Sequence, residues 1–134
     1  MEQFVNLHVH TAVGSLLDSI LTVSEMVEFA AQNHQPAIAV TDHGKMSSFV
    51  DVVKACNKKN IKPIIGCEVY EVDDQAFKND TKDYKQPRYH LVLLAKNHQG
   101  LLNLFKIVSN ACIDGMYKKP RTSLDIIKQN DWGK

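Results

Sequence analysis

With 134 residues, 44% of them hydrophobic, the chain is long enough for one domain with a real core. Sixteen Lys and Arg stand against fifteen Asp and Glu, a formal charge of +1. No global basic field therefore advertises nucleic acid, which leaves only a local groove for that purpose. Cys56, Cys67 and Cys112 are odd in number, sit in apolar stretches and show no Cys-x-x-Cys spacing. This excludes a disulfide frame and predicts buried free thiols in a reducing compartment. No apolar run reaches membrane-span length, and the first residues enter a strand with no signal-peptide core, so a soluble, cytoplasmic protein without a membrane partner is expected.

Residues 4–10 (Phe-Val-Asn-Leu-His-Val-His) alternate as a strand, with His8 and His10 on one face and Val5, Leu7 and Val9 on the other. Thr22-Val23-Ser24-Glu25 has the form of a capping box, and Met26, Val27, Phe29 and Ala30 supply the apolar face of a helix over 22–33. Residues 36–42 form a short, almost wholly apolar strand of the kind buried on both faces in parallel sheets. A second helix, 45–59, is expected to bury Met46, Phe49, Val50, Val53 and Cys56, with Asn60 as its stop. A third strand spans 62–72, and the polar stretch 73–88 reads as a mobile surface excursion. Strand 89–96 follows, and Asn97 then caps a helix over 98–114 with Leu101, Leu104, Phe105, Val108 and Cys112 on one side. The tail, 118–134, holds a basic Lys-Lys-Pro-Arg turn and a short helical pattern at Leu124, Ile126 and Ile127. His34 and His98 read as solvent-facing helix-end residues.

Successive βα units predict a parallel sheet with right-handed crossovers and a site at the carboxyl ends of its strands. His10 ends the first strand, His43 follows the second and Glu68 lies late in the third, so three strands deliver ligand-type residues to one rim. Paired imidazoles with carboxylates suit a divalent metal such as zinc, manganese or iron. Glu68 stands in an apolar strand, where a bare charge is costly, and must be paired or metal-bound; Gly66 leaves room beside it. Asp18 is open between a polar loop-to-helix residue and a ligand. Asp42-His43 is open between a simple turn and a ligand, His43, oriented by Asp42. In a strictly parallel arrangement His90, at the amino end of its strand, lies away from the rim and Asn97 nearer to it. Lys118, Lys119 and Arg121 are candidates for phosphate or DNA contact, against the plainer reading of a solvated basic turn.

The order Leu-His-Val-His, Ser-Leu-Leu-Asp, Ala-Val-Thr-Asp-His-Gly and Ile-Lys-Pro-Ile-Ile-Gly-Cys-Glu-Val-Tyr resembles the polymerase and histidinol phosphatase (PHP) domain. The later Tyr-His-Leu-Val-Leu-Leu-Ala-Lys-Asn, Gly-Leu-Leu-Asn-Leu-Phe-Lys-Ile-Val-Ser and Lys-Pro-Arg narrow this to the branch at the amino terminus of bacterial replicative DNA polymerase III alpha subunits. The resemblance runs from Phe4 to about Ile127. It implies an α/β fold, a distorted (β/α)₇ barrel, with up to three divalent metals, zinc or manganese. It places metal ligands at His8, His10, Asp18, His43, Glu68 and His90, with Glu68 as the bridge and Glu68 and His43 in the catalytic role.

Two departures carry expectations of their own. One extra residue between His10 and Asp18 is expected to displace Asp18. The family's later ligands have no counterpart between His90 and Lys134, so the chain is expected to be an incomplete PHP domain, about the first half of a barrel. The resemblance further implies DNA and other replisome subunits as partners of the parent protein, and magnesium for its polymerising portion. It implies metal-dependent phosphoester hydrolysis, of the 3′-to-5′ exonuclease type, with weak or no activity in this piece. A histidinol-phosphate-type phosphatase and a non-catalytic docking scaffold are the alternatives. Self-association is expected, because a half barrel exposes sheet edges and apolar helix faces.

Overall fold

The computed structural model describes residues 4–130. Its first helix, α1 (Val23–Gln32), begins as the capping box requires: the Thr22 hydroxyl accepts from the Glu25 N–H at 3.2 Å, and the Glu25 carboxylate accepts from the Thr22 N–H at 2.9 Å. Met26, Val27 and Ala30 face inward, whereas Phe29, expected on the same face, is exposed. Strand β1 (Ala37–Val40) is buried at every position, as its unbroken apolar run predicts.

Helix α2 (Phe49–Lys58) starts later than residue 45 and buries Val52 and Cys56; Val50 points to solvent. Met46, Phe49, Val53 and Cys56 lie in or against the core as expected, and Val52 takes the place given to Val50 on that face. Asn60 leaves the helix in the left-handed region, φ 54°, as a stop residue does. Strand β2 (Lys62–Glu71) then runs through the centre of the sheet, parallel to β1 from Ala37↔Lys62 to Val40↔Ile65.

Strand β3 (Tyr89–Leu94) pairs antiparallel with β2, from Gly66↔Leu94 to Glu71↔Tyr89, which corrects the all-parallel expectation. The long 73–88 connection allows it: the chain turns back beside β2 instead of crossing over through a helix. Gly66 serves this pairing, since a Cβ there would sit 2.5 Å from the Leu93 carbonyl oxygen. Asn97 caps α3 (His98–Ile113) by accepting from the Gly100 N–H at 2.8 Å. This helix buries Asn103, Leu104, Ile107 and Ala111; Cys112, expected in the core, is exposed.

Of the Lys-Lys-Pro-Arg segment only Lys118 is a turn; the rest is strand. After β4 (Met116–Tyr117), Lys118 reverses the chain at φ 61°, and β5 (Lys119–Thr122) pairs antiparallel with β4 and parallel with the end of β2. Helix α4 (Leu124–Gln129), capped by Ser123, closes the described chain, and the last part of the predicted 118–134 tail, 131–134, lies outside the described residues.

The predicted first strand, 4–10, forms only a bridge, Asn6↔Ile38. It still lies along β1, through Ala39 N–H to Asn6 O at 2.9 Å and Thr41 N–H to Val9 O at 2.8 Å. The Val9 N–H goes to the Thr41 hydroxyl in place of a carbonyl, which breaks the ladder. The result is a mixed α/β fold with an open sheet. One core cluster gathers α1, α2, β1 and the start of β2, and a second lies under α3 and α4 around Cys67, Val69, Leu104, Ile107 and Ile127.

Candidate metal centre

Glu68 is only 4% exposed, yet it is ringed by imidazoles. Its Oε2 lies 2.8 Å from His8 Nε2, 3.0 Å from His10 Nε2 and 3.6 Å from His43 Nδ1, and its Oε1 lies 2.8 Å from His90 Nδ1. The period-two spacing of His8 and His10 brings both rings to one carboxylate oxygen, while Val9 between them is buried. His43 reaches it because the residues after β1 continue alongside β2, as a His43↔Glu68 bridge.

His90 arrives by the antiparallel turn of β3. Its register partner is Tyr70, two residues after Glu68, so the amino end of β3 lies beside the carboxyl end of β2. That removes the geometric objection to His90, which assumed a parallel strand. Asn97, at the opposite end of β3, is occupied in capping α3.

Asp18 stands apart. It is half exposed, and its Oδ2 is 3.7 Å from His43 Nε2 at the rim. Asp42 does not orient the His43 ring. Its buried carboxylate accepts from the Thr11 N–H at 2.6 Å and from the hydroxyls of Thr11, Ser15 and Ser48. The Ser15 oxygen in turn accepts from the His43 N–H at 3.1 Å, so Asp42 fixes the backbone of the 11–15 turn and of His43 rather than its side chain. Ser48 is diverted to Asp42, and the α2 N-terminus has no side-chain cap.

The basic trio also separates. Arg121 is 2% exposed and donates to the carbonyls of Gly115, Phe77 and Gln75, so it is not free to meet a phosphate. Lys118 is paired with Asp80 at 2.7 Å. Lys119 alone of the three has neither an ion-pair nor a hydrogen-bond partner for its side chain among the described residues; its ammonium lies 5.4 Å from the centroid of the Tyr70 ring. It lines a cavity of about 380 Å³ with Asp18, His43, Lys45 and Tyr70. Tyr70 was not among the residues singled out from the sequence, although it shares strand parity with Glu68.

The electrostatics fit a ligand set. Burial and the neighbouring His10 hold His43 below the usual histidine range, against the pull of Glu68 and Asp18. Burial pushes Glu68 upward, but its hydrogen bonds with His8 and His90 outweigh this, and the carboxyl is held below its ordinary value. Cys67, behind the site, is pushed up to about 12 by burial and by Asp42, and is an inert thiol. Nδ1 of His43, which faces Glu68 Oε2 at 3.6 Å, is buried with no hydrogen-bond partner, a costly state that a cation between the two would relieve. Two donor groups meet the spacing for a metal, His8–His10–Glu68 and His43–Glu68–His90, each with its ligand atoms within 4.8 Å of one another. The residues fit divalent metal.

Residues 6–133 match the PHP domain family, and the chain belongs to it. It is 40% identical over 130 residues to the DNA polymerase III subunit alpha of Treponema pallidum, covering 97% of this chain and 11% of that protein. With the same subunit of Aquifex aeolicus it shares 35% identity over 133 residues, covering 96% of this chain and 11% of the relative. The chain thus spans about a tenth of the length of these curated relatives. The fold is shared with an amidohydrolase from Chromobacterium violaceum, TM-score 0.52 at 20% identity, over 79% of this chain and 34% of that one. It is shared too with a protein from Bifidobacterium adolescentis described as a metal-dependent phosphoesterase, TM-score 0.54 at 18% identity, over 81% of this chain and 33% of that one.

Proposed function

We propose that this chain is the PHP portion of a bacterial replicative polymerase alpha subunit, and that its centre hydrolyses phosphodiesters as a 3′-to-5′ exonuclease does. The observation that carries the reading is the convergence of His8, His10, His43 and His90 on buried Glu68. His8, His10 and Glu68 would hold one divalent metal and His43, Glu68 and His90 a second, zinc or manganese, with Glu68 common to both. Such metals supply Lewis acidity and an activated water.

The chain's own residues do the rest. Glu68, kept ionised by its hydrogen bonds, gathers the imidazoles on one acceptor. His43, kept neutral by burial, offers a lone pair at neutral pH. Asp18 faces His43 from the solvent side, where a further ligand would enter. Lys119 gives the adjoining cavity a positive wall for substrate phosphate.

In this reading the open sheet is part of a (β/α)₇ barrel completed by further chain. The parent protein works in the cytoplasm with DNA and other replisome subunits, and uses magnesium in its polymerising portion. No helix among the described residues is long and apolar enough to cross a membrane.

The test is elemental mass spectrometry of the purified chain and of a His8→Ala/His10→Ala variant, each supplemented with zinc and manganese. Metal in the first and its loss in the second are expected. A longer protein containing the domain is then given 3′-labelled single-stranded DNA and a phosphomonoester. Preference for the monoester would replace the exonuclease reading with a phosphatase one, and a metal-free native chain would overturn the metal centre itself.

A further inference from the structure

Tyr70 is 6% exposed and occupies the point where β3 and β5 both meet β2, in register with His90 on one and Arg121 on the other. Its ring stacks on His43, with centroids 5.8 Å apart and planes 14° from parallel. It meets His90 edge-on, 5.1 Å away at 84°. These two imidazoles belong to the same donor group, and that group has no other side chain that touches both rings as Tyr70 does among the described aromatic contacts.

The ring is itself held in place. Gly44 turns in the left-handed region, φ 59°, and brings the chain after His43 against it: a Cβ on Gly44 would lie 3.3 Å from Tyr70 Cε2 and 2.7 Å from Pro120 Cγ. Lys119, next to Pro120, sets its ammonium over the same ring. One aromatic plane therefore contacts two ligands of the centre and a cation of the adjoining cavity.

We propose that Tyr70 is a positioning residue of the metal centre: its ring fixes the orientations of His43 and His90. The inference rests on the metal-centre reading above. An imidazole on a strand end rotates freely about its side-chain bonds unless packed, and groups that orient ligands typically govern metal affinity by about 10–100-fold. The effect belongs to the ring rather than the hydroxyl, which makes no hydrogen bond among the described residues.

Zinc affinity is measured by chelator competition for the native chain, Tyr70→Phe and Tyr70→Leu, with circular dichroism as the check on folding. The phenylalanine variant is expected to bind as the native chain does, and the leucine variant to weaken by about 10–100-fold. As a measurement independent of any destabilising variant, the chain is labelled with 3-fluorotyrosine and its ¹⁹F resonances are followed during zinc addition. The Tyr70 signal, assigned by its absence in Tyr70→Phe, is expected to shift more than those of Tyr84, Tyr89 and Tyr117. Native affinity in a folded Tyr70→Leu, or a Tyr70 resonance unmoved by bound zinc, would overturn the role of Tyr70 and leave the metal centre standing. Failure of the native chain to bind zinc would overturn both.

Discussion

At the scale of single residues, the centre is governed by the competition between burying a charge and giving it partners. Glu68 is the clearest case, a carboxylate in a strand interior that survives because four imidazoles face it. Its pH consequences follow from the direction of two shifts. His43 has a folded pKa below its ordinary 6.5, so as pH falls from 6.5 through the folded value the unfolded chain takes up the proton first and the metal-free protein loses stability. Glu68 has a folded pKa below 4.5, so its contribution is complete above 4.5 and is lost as pH falls through the folded value. Urea denaturation of the metal-free chain between pH 4 and 8 is expected to give a midpoint that declines below 6.5, and a His43→Gln variant to lack that step. An identical profile in the variant would remove His43 as its source.

At the scale of elements, Arg121 ties the 73–88 connection to the β4–β5 hairpin. Burial, and then Arg88, lowers its pKa, but the guanidinium remains charged, and three carbonyls on two segments satisfy it. The segment that reads as a mobile excursion is in fact stitched to the sheet, with the Gln75 side chain also donating to Arg121 O at 2.7 Å. Removal of the guanidinium leaves buried acceptors unpaired, at about 1–3 kcal/mol for such a group. Arg121→Ala is therefore expected to lower stability by at least that much and to speed proteolysis within 73–88, while affinity for single-stranded DNA stays unchanged. A large loss of DNA affinity in a folded Arg121→Ala would restore the phosphate-contact reading. The residue types showed a basic cluster; its members part company because Lys119, at the start of β5, stays exposed at the cavity, whereas Arg121, two residues on, is covered by the 73–88 connection whose carbonyls it meets.

At the scale of the whole molecule, the sheet is open. Among the described residues β3 pairs with β2 alone, which leaves the other edge of β3 unpaired, and Leu16, Leu17 and Ile20, near one another in sequence, are each largely exposed, Ile20 at 95%. Unpaired edges and clustered exposed apolar side chains promote association. Light scattering across a concentration series is expected to show association that Leu17→Lys/Ile20→Lys reduces. A well-behaved monomer at high concentration would count against the half-barrel reading.

Much of this was legible in the residues. The capping box at Thr22, the Asn97 cap, the buried run of β1 and the alternation of His8 with His10 are local signals, set by hydrogen bonding and side-chain period within a few residues. The ligand types could be read because a carboxylate in an apolar strand demands a partner. What only the tertiary structure decided was non-local: the direction of β3, which carries His90 to Glu68; the strand made by Lys119–Thr122; the use of Asp42 as a scaffold for the 11–15 turn; and the place of Tyr70 between two imidazoles. Each depends on which strands pair across long stretches of chain. Strand direction is fixed by the burial gained when the whole sheet closes over its helices, and no local pattern encodes it.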